Sequence, residues 1–247
     1  MEKNILVTGA GKGIGKKILF DCIDQFNFVY AVIRKKNDFI KIKKVINNDK
    51  CKLYLGDINN LNLIEKILSD SKKIKKKING VVNNAGERQR EDFLKINKAQ
   101  LNNLFKNNFF NHFYLIQKII RDFKKNSMRK NFSFVNIGSI VGIKGFSQLS
   151  GYASTKSALE GLTRSLAIEF ANDQMRFNIV HPGFIKTSYY EKFKKKQKLY
   201  KWTLKKTPLG TWGESEDVSE LVIFLLSDKS KYITGQSICV DGGWTVS

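Results

Sequence analysis

Residues 4–15 read NILVTGAGKGIG and predict a buried strand, a glycine turn and the start of a helix. The apolar run before Gly9 is typical of a strand covered on both faces, and apolar residues recur at helical spacing beyond the turn. Glycines allow close backbone approach, and the free N–H groups at a helix start attract anions. We therefore interpret Gly9, Lys12, Gly13, Ile14 and Gly15 as a dinucleotide pyrophosphate site, with a tight connection alone as the alternative.

Outward from this stretch, short apolar runs alternate with helical patterns along the rest of the chain. Strands are predicted at 28–33, 52–55, 78–82, 132–137, 176–180 and 237–240, and helices at 60–71, 99–125, 152–170 and 215–226. Strands that alternate with helices favour parallel pairing. The predicted fold is α/β: a Rossmann-type, doubly wound parallel sheet of about seven strands with helices on both faces, in a single domain 1–247.

The composition of the chain argues against several other classes of protein. At 247 residues it can bury one large core, and it has no run of about 18 apolar residues. Its first residues, MEKNILVTGAG, show no signal-peptide pattern, so we expect a soluble cytoplasmic protein with no membrane partner. Three cysteines and two histidines occur without CxxC or HxxH spacing, so neither a disulfide framework nor a metal site is expected.

The net charge of +22 raises the question of a polyanionic partner. The basic residues are scattered along the whole chain, which favours a solvated, lysine-rich surface over a nucleic-acid interface. Dense basic runs occur only at 72–77 and 192–206. We therefore expect no nucleic-acid partner.

The residues after the second predicted strand bear on the choice of dinucleotide. An acidic side chain near this strand end binds the ribose hydroxyls of NAD, whereas Arg or Lys accommodates a 2′-phosphate. Arg34 follows the strand directly, Lys12 lies in the glycine turn, and no acid occurs between the strand and Asp38. This favours NADP(H), with NAD(H) possible and ordinary solvated bases as the alternative interpretation.

A second chemical signal lies in residues 139–156, SIVGIKGFSQLSGYASTK. Tyr152 and Lys156 are four residues apart and share one helix face, and Ser139 follows the predicted strand 132–137. A nearby ammonium lowers the pKa of a phenol, which can then donate a proton to a carbonyl oxygen that the serine hydroxyl also binds. The group predicts reduction of a ketone, or the reverse reaction.

Three further segments lie where a parallel sheet binds ligands. Asn83-Asn84-Ala85-Gly86 follows the predicted strand 78–82, and 181–187 follows the strand 176–180. Asn108 lies inside the predicted helix 99–125, where an amide among aromatic residues needs partners. Residues 188–212 are aromatic and lysine-rich and are predicted to form a lid-like substrate loop, with this inner face: Tyr189, Tyr190, Phe193, Trp202 and Leu204.

In this order, these motifs resemble those of the short-chain dehydrogenase/reductase family, in the single-domain branch that includes 3-oxoacyl-(acyl-carrier-protein) reductases. The resemblance covers nearly the whole chain and rests on these segments: Thr8-Gly9-x-x-x-Gly13-Ile14-Gly15, Asp57, Asn83-Asn84-Ala85-Gly86, Asn108, Ser139, Tyr152-x-x-x-Lys156, Pro182-Gly183 with Thr187, and Asp241-Gly242-Gly243. It implies an NAD(P)-dependent oxidoreductase that acts on CH–OH groups without a metal. It also implies a homotetramer or homodimer assembled through the long helices.

The resemblance implies a role for each matching residue. Tyr152 would be the acid/base, Lys156 would bind the nicotinamide ribose and lower the pKa of Tyr152, and Ser139 would hold the substrate oxygen. Asn108 would order a proton-relay water. The implied cofactor contacts are Asp57 with the adenine, Asn84 with the ribose region, Ile185 and Thr187 with the nicotinamide amide, and the neighbouring Ala85, Gly86, Pro182 and Gly183.

Two departures from the family pattern leave the substrate open. Asp173 stands where carrier-protein reductases often have a basic residue, and Glu87 stands where an apolar side chain is usual. A Glu87 carboxylate near the nicotinamide would bind a hydroxylated substrate, unless it turns to solvent.

Three functional hypotheses follow. The first is reduction of a 3-oxoacyl thioester with NADPH, in which residues 192–206 meet an acidic acyl carrier protein. The second is oxidoreduction of a sugar, polyol or other small ketone with the same residues. The third is a cofactor- or polyanion-binding protein without turnover.

Overall fold

A computed structural model describes residues 3–46, 49–125, 131–188 and 190–247. The strands are β1 Asn4–Thr8, β2 Phe28–Ile33, β3 Cys51–Leu55, β4 Gly80–Asn83, β5 Phe132–Ile137, β6 Met175–Pro182 and β7 Ser237–Val240. The helices are α1 Gly13–Gln25, α2 Lys36–Val45, α3 Leu61–Lys73, α4 Lys98–Phe105, α5 Asn111–Lys125, α6 Ser150–Glu169, α7 Tyr190–Lys194, α8 Gln197–Lys206 and α9 Ser215–Leu226.

The strands form one parallel sheet in the order β3-β2-β1-β4-β5-β6-β7. The predicted fold class is confirmed: seven parallel strands with helices on both faces. Leu6 of β1 pairs with Tyr30 of β2 on one side and with Val81 of β4 on the other. The chain therefore winds outward in both directions from β1 and β4. Ligands of such sheets bind at this switch point, beyond the carboxyl ends of the strands.

Two hydrophobic layers cover the sheet. On one face, α1, α2 and α9 pack against the strands through Leu19, Ile42 and Val222. On the other face, α3, α5 and α6 pack through residues that include Ile67 and Ile119. Every residue of β2 and β5 is buried, which explains why these strands read as continuous apolar runs.

The helix predicted over 99–125 is present over 98–125, but it changes from α-helical to π-helical geometry within its length. A π-helical turn at Lys106–Phe110 separates α4 from α5, and Asn108 lies within it. Such turns are frequent at functional sites because one extra residue redirects the side chains around it. The apolar periodicity gave no sign of the interruption, since it continues on both sides.

The region predicted to be a loop over 188–212 instead contains α7 and α8. Residues 184–188 and 190–212 follow β6 at the carboxyl edge of the sheet, and several of them line the crevice beside β5. Tyr189, predicted to lie on the inner face of this segment, falls outside the described residues. Within the described parts of the chain, no helix has both the length and the apolar character that crossing a membrane requires.

Candidate active site

Two adjoining cavities open at the carboxyl ends of the central strands. The glycine cavity, about 370 Å³, lies beside the turn between β1 and α1 and the ends of β2 and β4. The aromatic cavity, about 570 Å³, lies between the ends of β5 and β6 and the segment 184–212. The two form one continuous cleft, because they share the following lining residues: Asn84, Gly86, Glu87 and Arg88.

The glycine turn forms one wall of the glycine cavity. Gly9 and Gly13 have φ of +65° and +52°, in the left-handed region that favours glycine. A Cβ added at Gly9 would lie 2.8 Å from the Ala85 Cα, and one added at Gly15 would lie 2.3 Å from the Gly9 carbonyl oxygen. The turn therefore packs too tightly for side chains at these positions. Gly9 lines the cavity, whereas Gly15 lies against the turn and Gly13 packs beside Thr187.

Asn84 braces this turn from the end of β4. Its Nδ2 donates to the Thr8 and Gly9 carbonyl oxygens at 3.2 and 3.0 Å. The backbone N–H groups of Asn84 and Ala85 donate to the Thr8 hydroxyl at 3.0 and 3.2 Å. The amide of Asn84 is thus occupied by the backbone, while the residue lines both cavities. Its contact with a ribose stays a prediction.

Charged residues of both signs line the outer end of the glycine cavity. Lys12 and Arg34 lie there, and Arg34 Nη1 is 3.8 Å from Asp57 Oδ2 in a pair exposed enough to contribute little stability. Asp38 also lines this cavity, because α2 begins directly after β2 and brings its first turn against Gly11. The sequence indicated only that no acid precedes Asp38 after the strand, and it predicted no place for Asp38 in the cavity. Its position in the first turn of a helix that starts soon after β2 could have indicated that Asp38 lies near the cavity.

Ser139, Tyr152 and Lys156 meet in the aromatic cavity. The end of β5 presents Ser139, whose side chain hydrogen-bonds Tyr152 and also accepts from the Val141 N–H at 3.2 Å. The Lys156 ammonium is buried and donates to the Ile137 carbonyl oxygen at 2.8 Å. The strand end and the first turn of α6 therefore bring together the three side chains that the spacing predicts.

Burial dominates the protonation of these groups. It raises the pKa of Tyr152, and the charge of Arg88 and the hydrogen bond with Ser139 offset only part of that rise. Burial also lowers the pKa of Lys156 to about 8. The pKa of Tyr152 is therefore raised overall and not lowered as expected, because removal of the phenol from water outweighs the neighbouring charges. A lowering contribution from Lys156 stays a prediction.

His181, at the end of β6, holds the backbone of Ser139. Its Nδ1 lies 3.2 Å from the Ser139 nitrogen and 3.0 Å from the Ser139 carbonyl oxygen. A Cβ added at Gly138 would come within 2.5 Å of the same Nδ1, so glycine is what allows this approach. Burial lowers the pKa of His181, so the ring is neutral near pH 7. The sequence analysis assigned His181 no role.

Asn108 connects the π-helical turn to the cleft. Its Nδ2 donates to the Glu87 carbonyl oxygen at 2.8 Å and to the Thr155 hydroxyl at 3.2 Å, and its Oδ1 accepts from the Glu87 N–H at 2.8 Å. A Cβ added at Gly86 would lie 3.1 Å from Asn108 Oδ1 and 3.9 Å from Lys156 Nζ. Asn108 is thus fully bonded to protein next to Lys156, and its role in ordering a relay water stays a prediction.

The segment after Gly86 carries charges that the sequence analysis left largely unassigned. Glu87 is turned toward the α4 side, where its Oε1 accepts from Asn103 at 3.0 Å and from Asn107 at 2.9 Å. Arg88 lines both cavities and Arg90 lines the aromatic cavity. The substrate side therefore carries two guanidinium groups without an assigned role, beside a Glu87 carboxylate whose Oε1 is already hydrogen-bonded.

Aromatic side chains form the outer wall of the aromatic cavity. Trp212 is the centre of this group, with ring centroids 5.0 Å from Phe184 and 4.9 Å from Phe193, and its Nε1 donates to the Thr203 hydroxyl at 2.8 Å. Trp202 is half exposed and packs on Trp244. The cavity is also lined by these predicted residues: Ile14, Pro182, Gly183, Ile185, Thr187 and Tyr190.

The residues of this cleft fit a dinucleotide. The backbone of the glycine turn stands at the start of α1, where Cβ atoms at two positions would collide with neighbouring backbone. The same cleft continues, through the four shared residues, to Ser139 and Tyr152. Within the described ranges there is no cluster of three His, Cys, Asp or Glu side chains that could hold a metal ion.

Comparison with known proteins agrees with this geometry. The family model described as enoyl-(acyl carrier protein) reductase, one of the short-chain dehydrogenase/reductase models, matches residues 9–245. The chain belongs to the short-chain dehydrogenase/reductase family. This family membership identifies it as an NAD(P)-linked oxidoreductase and accounts for the order of the motifs from the glycine turn to the end of β7.

Curated members of the short-chain dehydrogenase/reductase family align along nearly the whole chain. A tropinone reductase homologue of Arabidopsis thaliana is 34% identical, covering 99% of this chain and 93% of its own length. The 3-oxoacyl-(acyl-carrier-protein) reductase FabG of Thermotoga maritima is 30% identical, covering 99% and 98%. These two members bear different substrate names, so similarity alone leaves the substrate open.

Solved structures of the family share the fold. ElxO with NADP bound has a TM-score of 0.90 and 27% identity, with 100% of both chains covered. A 4-hydroxyisoleucine dehydrogenase complexed with NADH has a TM-score of 0.89 and 26% identity, again with 100% of both chains covered. Short-chain dehydrogenase/reductase structures of this shape therefore include complexes with either dinucleotide.

Proposed function

We propose that this protein catalyses the NADP(H)-dependent reduction of a 3-oxoacyl thioester. The observation that carries the proposal is the meeting of Ser139, Tyr152 and Lys156 in an aromatic, largely apolar cavity that adjoins a glycine-lined one. An apolar cavity with a few convergent polar groups suits an acyl chain that presents one carbonyl. The named FabG relatives support a 3-oxoacyl substrate.

The glycine cavity would hold the dinucleotide. Its basic residues Lys12 and Arg34 support a 2′-phosphate and hence NADP(H), while Asp38 in the same cavity keeps NAD(H) open. The bound cofactor supplies the hydride, and the protein supplies position and charge.

The reacting side chains would act on the substrate oxygen. The Tyr152 hydroxyl donates its proton as negative charge develops on that oxygen, and the Ser139 hydroxyl donates a second hydrogen bond. Because burial raises the pKa of Tyr152, the phenol is protonated at neutral pH, as the reducing direction requires. Lys156, with a pKa of about 8, is mostly charged at pH 7 and would bind the nicotinamide ribose.

The surroundings of the cavity suit an acidic acyl carrier protein as the substrate's carrier. Helix α7 lines the aromatic cavity, and α8 packs against Trp212 of its wall. Both helices expose several lysines, which include Lys192, Lys194, Lys198, Lys201, Lys205 and Lys206. Asp173, the acid that departs from the family pattern, forms an ion pair with Lys124 at 2.8 Å. Its negative charge is therefore partly offset.

We also propose that the protein is cytoplasmic and assembles as a homotetramer or homodimer through its long helices. Exposed aromatic residues on the π-helical turn and α5 support such an interface: Phe110, Phe113 and Tyr114.

A second candidate function is oxidoreduction of a sugar, polyol or other small ketone. It is supported by relatives such as the tropinone reductase homologue and 2-dehydro-3-deoxy-D-gluconate 5-dehydrogenase of Dickeya dadantii, which is 32% identical over 68% of this chain. The proposed binding of sugar hydroxyls by Glu87 loses support, because two asparagine amides already occupy its Oε1. A binding protein without turnover is disfavoured because Ser139, Tyr152 and Lys156 are all present and adjacent.

The test is loss of NADPH absorbance with a short 3-oxoacyl thioester, beside a panel of ketoses and simple ketones and with NADH in parallel. We expect thioester turnover that prefers NADPH and falls at least about 100-fold in Tyr152→Phe, which removes only the hydroxyl. Turnover of a ketose without turnover of the thioester would move the protein to the second candidate. A Tyr152→Phe enzyme as fast as the wild type would refute the mechanism.

A further inference from the structure

The segment after Gly86 places two arginines in the aromatic cavity that none of the roles above uses. Arg88 lines both cavities, and Arg90 lines the aromatic cavity alone. Both side chains are exposed, so they reach the cavity without being buried in the core. They stand at the side of the cleft where β4 ends, close to the reacting groups.

Neither guanidinium has a carboxylate partner among the described residues. Arg34 and Arg164, by contrast, lie within 4 Å of Asp57 and Glu160. Glu87, the acid adjacent in sequence to Arg88, is bonded through Oε1 to two amides near α4. Neither guanidinium is therefore ion-paired, and Glu87, the only acid among the described residues that line the aromatic cavity, directs its Oε1 toward amides and not toward the arginines.

Arg90 is held in place by the opposite loop. Its Nε donates to Gln148 Oε1 at 2.9 Å, and Gln148 Nε2 donates in turn to Asp92 Oδ1 at 2.6 Å. The Glu91 N–H donates to the Gln148 carbonyl oxygen at 2.9 Å. Gln148 has a φ of +65°, a left-handed conformation that costs a residue with a Cβ roughly 1 kcal/mol. The bond to Gln148 holds the Arg90 guanidinium through Nε, while its terminal N–H groups bond to no residue of the described chain.

Arg88 acts on the reacting phenol. Its charge makes the largest contribution that opposes the burial-induced rise in the pKa of Tyr152. Lys156 adds a buried cation beside the same ring, 5.8 Å from its centroid. The substrate side thus holds three cations and one carboxylate that is already hydrogen-bonded. An anionic ligand gains from this arrangement, because a guanidinium fork matches a carboxylate in shape and charge.

We infer that Arg88 and Arg90 form an anion subsite that binds a carboxylate carried by the oxo substrate. This rests on the proposed function as a carbonyl reductase and narrows its substrate class. The carboxylate has two chemical sources: a free oxo acid, or an acyl thioester with a second carboxylate on its acyl chain. In both, the aromatic wall covers the apolar part while the arginines hold the charged end.

The test compares matched substrates that differ only in charge. Acetoacetate is paired with methyl acetoacetate, and the N-acetylcysteamine thioester of 3-oxoadipate is paired with that of 3-oxohexanoate. The variants are Arg88→Met and Arg88→Lys, with Arg121→Met as control, since Arg121 is exposed on α5 and lines neither cavity. Titration of the tryptophan fluorescence with each charged and neutral compound measures binding without turnover, because Trp212 lines the cavity.

In the wild type we expect the charged member of at least one pair to have a kcat/KM about 10-fold or more above its neutral partner. Arg88→Met should remove that preference through KM, Arg88→Lys should restore part of it, and Arg121→Met should leave it unchanged. Preference within the acetoacetate pair identifies a free oxo acid, and preference within the thioester pair identifies a dicarboxylic acyl group.

Equal use of charged and neutral partners by the wild type would overturn the subsite while leaving carbonyl reduction intact. Absence of all turnover would instead refute the proposed function, and the fluorescence titration then decides the subsite by itself. If Arg88→Met does not fold, the charge preference of the wild type and its change in Arg88→Lys decide whether the subsite exists. The proposed subsite would also be overturned if the preference for the charged substrate survived in both Arg88→Met and Arg90→Met.

Discussion

The glycine cavity and the aromatic cavity are built in different ways. The glycine cavity is shaped by backbone: the turn after β1 approaches Ala85 so closely that a Cβ at Gly9 would lie 2.8 Å from its Cα. The aromatic cavity is shaped by side chains from α7 and from the stretch around Trp212, against which α8 packs through Tyr200 and Thr203. Backbone contacts restrict which residues fit, whereas contacts between large side chains accept many combinations. The glycine cavity therefore suits a ligand of fixed shape, whereas the aromatic cavity suits ligands of variable shape.

The sharpest test of this difference is a pair of glycine substitutions. A Cβ at Gly15 would lie 2.3 Å from a backbone oxygen of the turn, whereas one at Gly161, within α6, meets nothing within 4 Å. We expect Gly15→Ala to weaken NADPH binding by more than about 100-fold, because the turn must move to relieve the clash. Gly161→Ala should leave the affinity unchanged and raise the melting temperature slightly, because alanine favours a helix.

Calorimetric titration of NADPH and thermal unfolding measure both effects. Near-normal affinity in Gly15→Ala would show that the turn is more compliant than its packing indicates. It would also remove the proposed contrast between the two cavities.

His112 lies beneath the point where the cavities join and predicts a pH effect. The ring is fully buried, it contacts the Ala85 carbonyl oxygen through Nε2 at 2.6 Å, and burial lowers its pKa to about 3. Between pH 6.5 and 3 the unfolded chain therefore binds a proton that the folded chain does not, so stability falls as the pH falls. For this one residue the loss between pH 7 and 5 is about 2 kcal/mol.

Denaturant unfolding at pH 7 and 5 checks this prediction. His112→Gln retains a donor for Ala85 but does not titrate, so its stability should fall by about 2 kcal/mol less than that of the wild type. Near-ultraviolet circular dichroism at pH 7 controls for an altered fold. Identical pH dependence in the two proteins would mean that the buried ring is protonated without opening the structure.

The smallest of the three effects tests whether the aromatic wall is independent of the glycine cavity. Trp212 packs against Phe184, Tyr190, Phe193 and Tyr200 and lines the aromatic cavity alone. Trp212→Ala should raise KM for the reducible substrate about 10-fold, through loss of apolar contact, and change the NADPH affinity less than about twofold. Trp212→Phe, which keeps an aromatic ring, should have a KM between those of the wild type and Trp212→Ala. Equal loss of both affinities would show that the cavities form one cooperative unit.

The sequence predicted the fold and the meeting of Ser139, Tyr152 and Lys156 for local reasons. Apolar runs with β-branched residues and the helical spacing of Tyr152 and Lys156 are properties of neighbouring residues, and all of these appear in the structure. The place of Asp38 in the glycine cavity was not predicted, because it depends on where α2 begins. The π-helical turn around Asn108 escaped notice because its partners, Glu87 and Thr155, lie on other elements.

What the sequence by itself determined is therefore the order of elements, the glycine turn and the grouping of the three side chains that we propose to react. Each depends on residues within a turn or two of one another, where spacing translates directly into geometry. Only the tertiary structure decided the protonation of Tyr152, the direction of Glu87 and the placement of Arg88 and Arg90 in the cavity. These depend on burial and on partners from distant segments, and burial is a property of the assembled molecule rather than of any stretch of sequence.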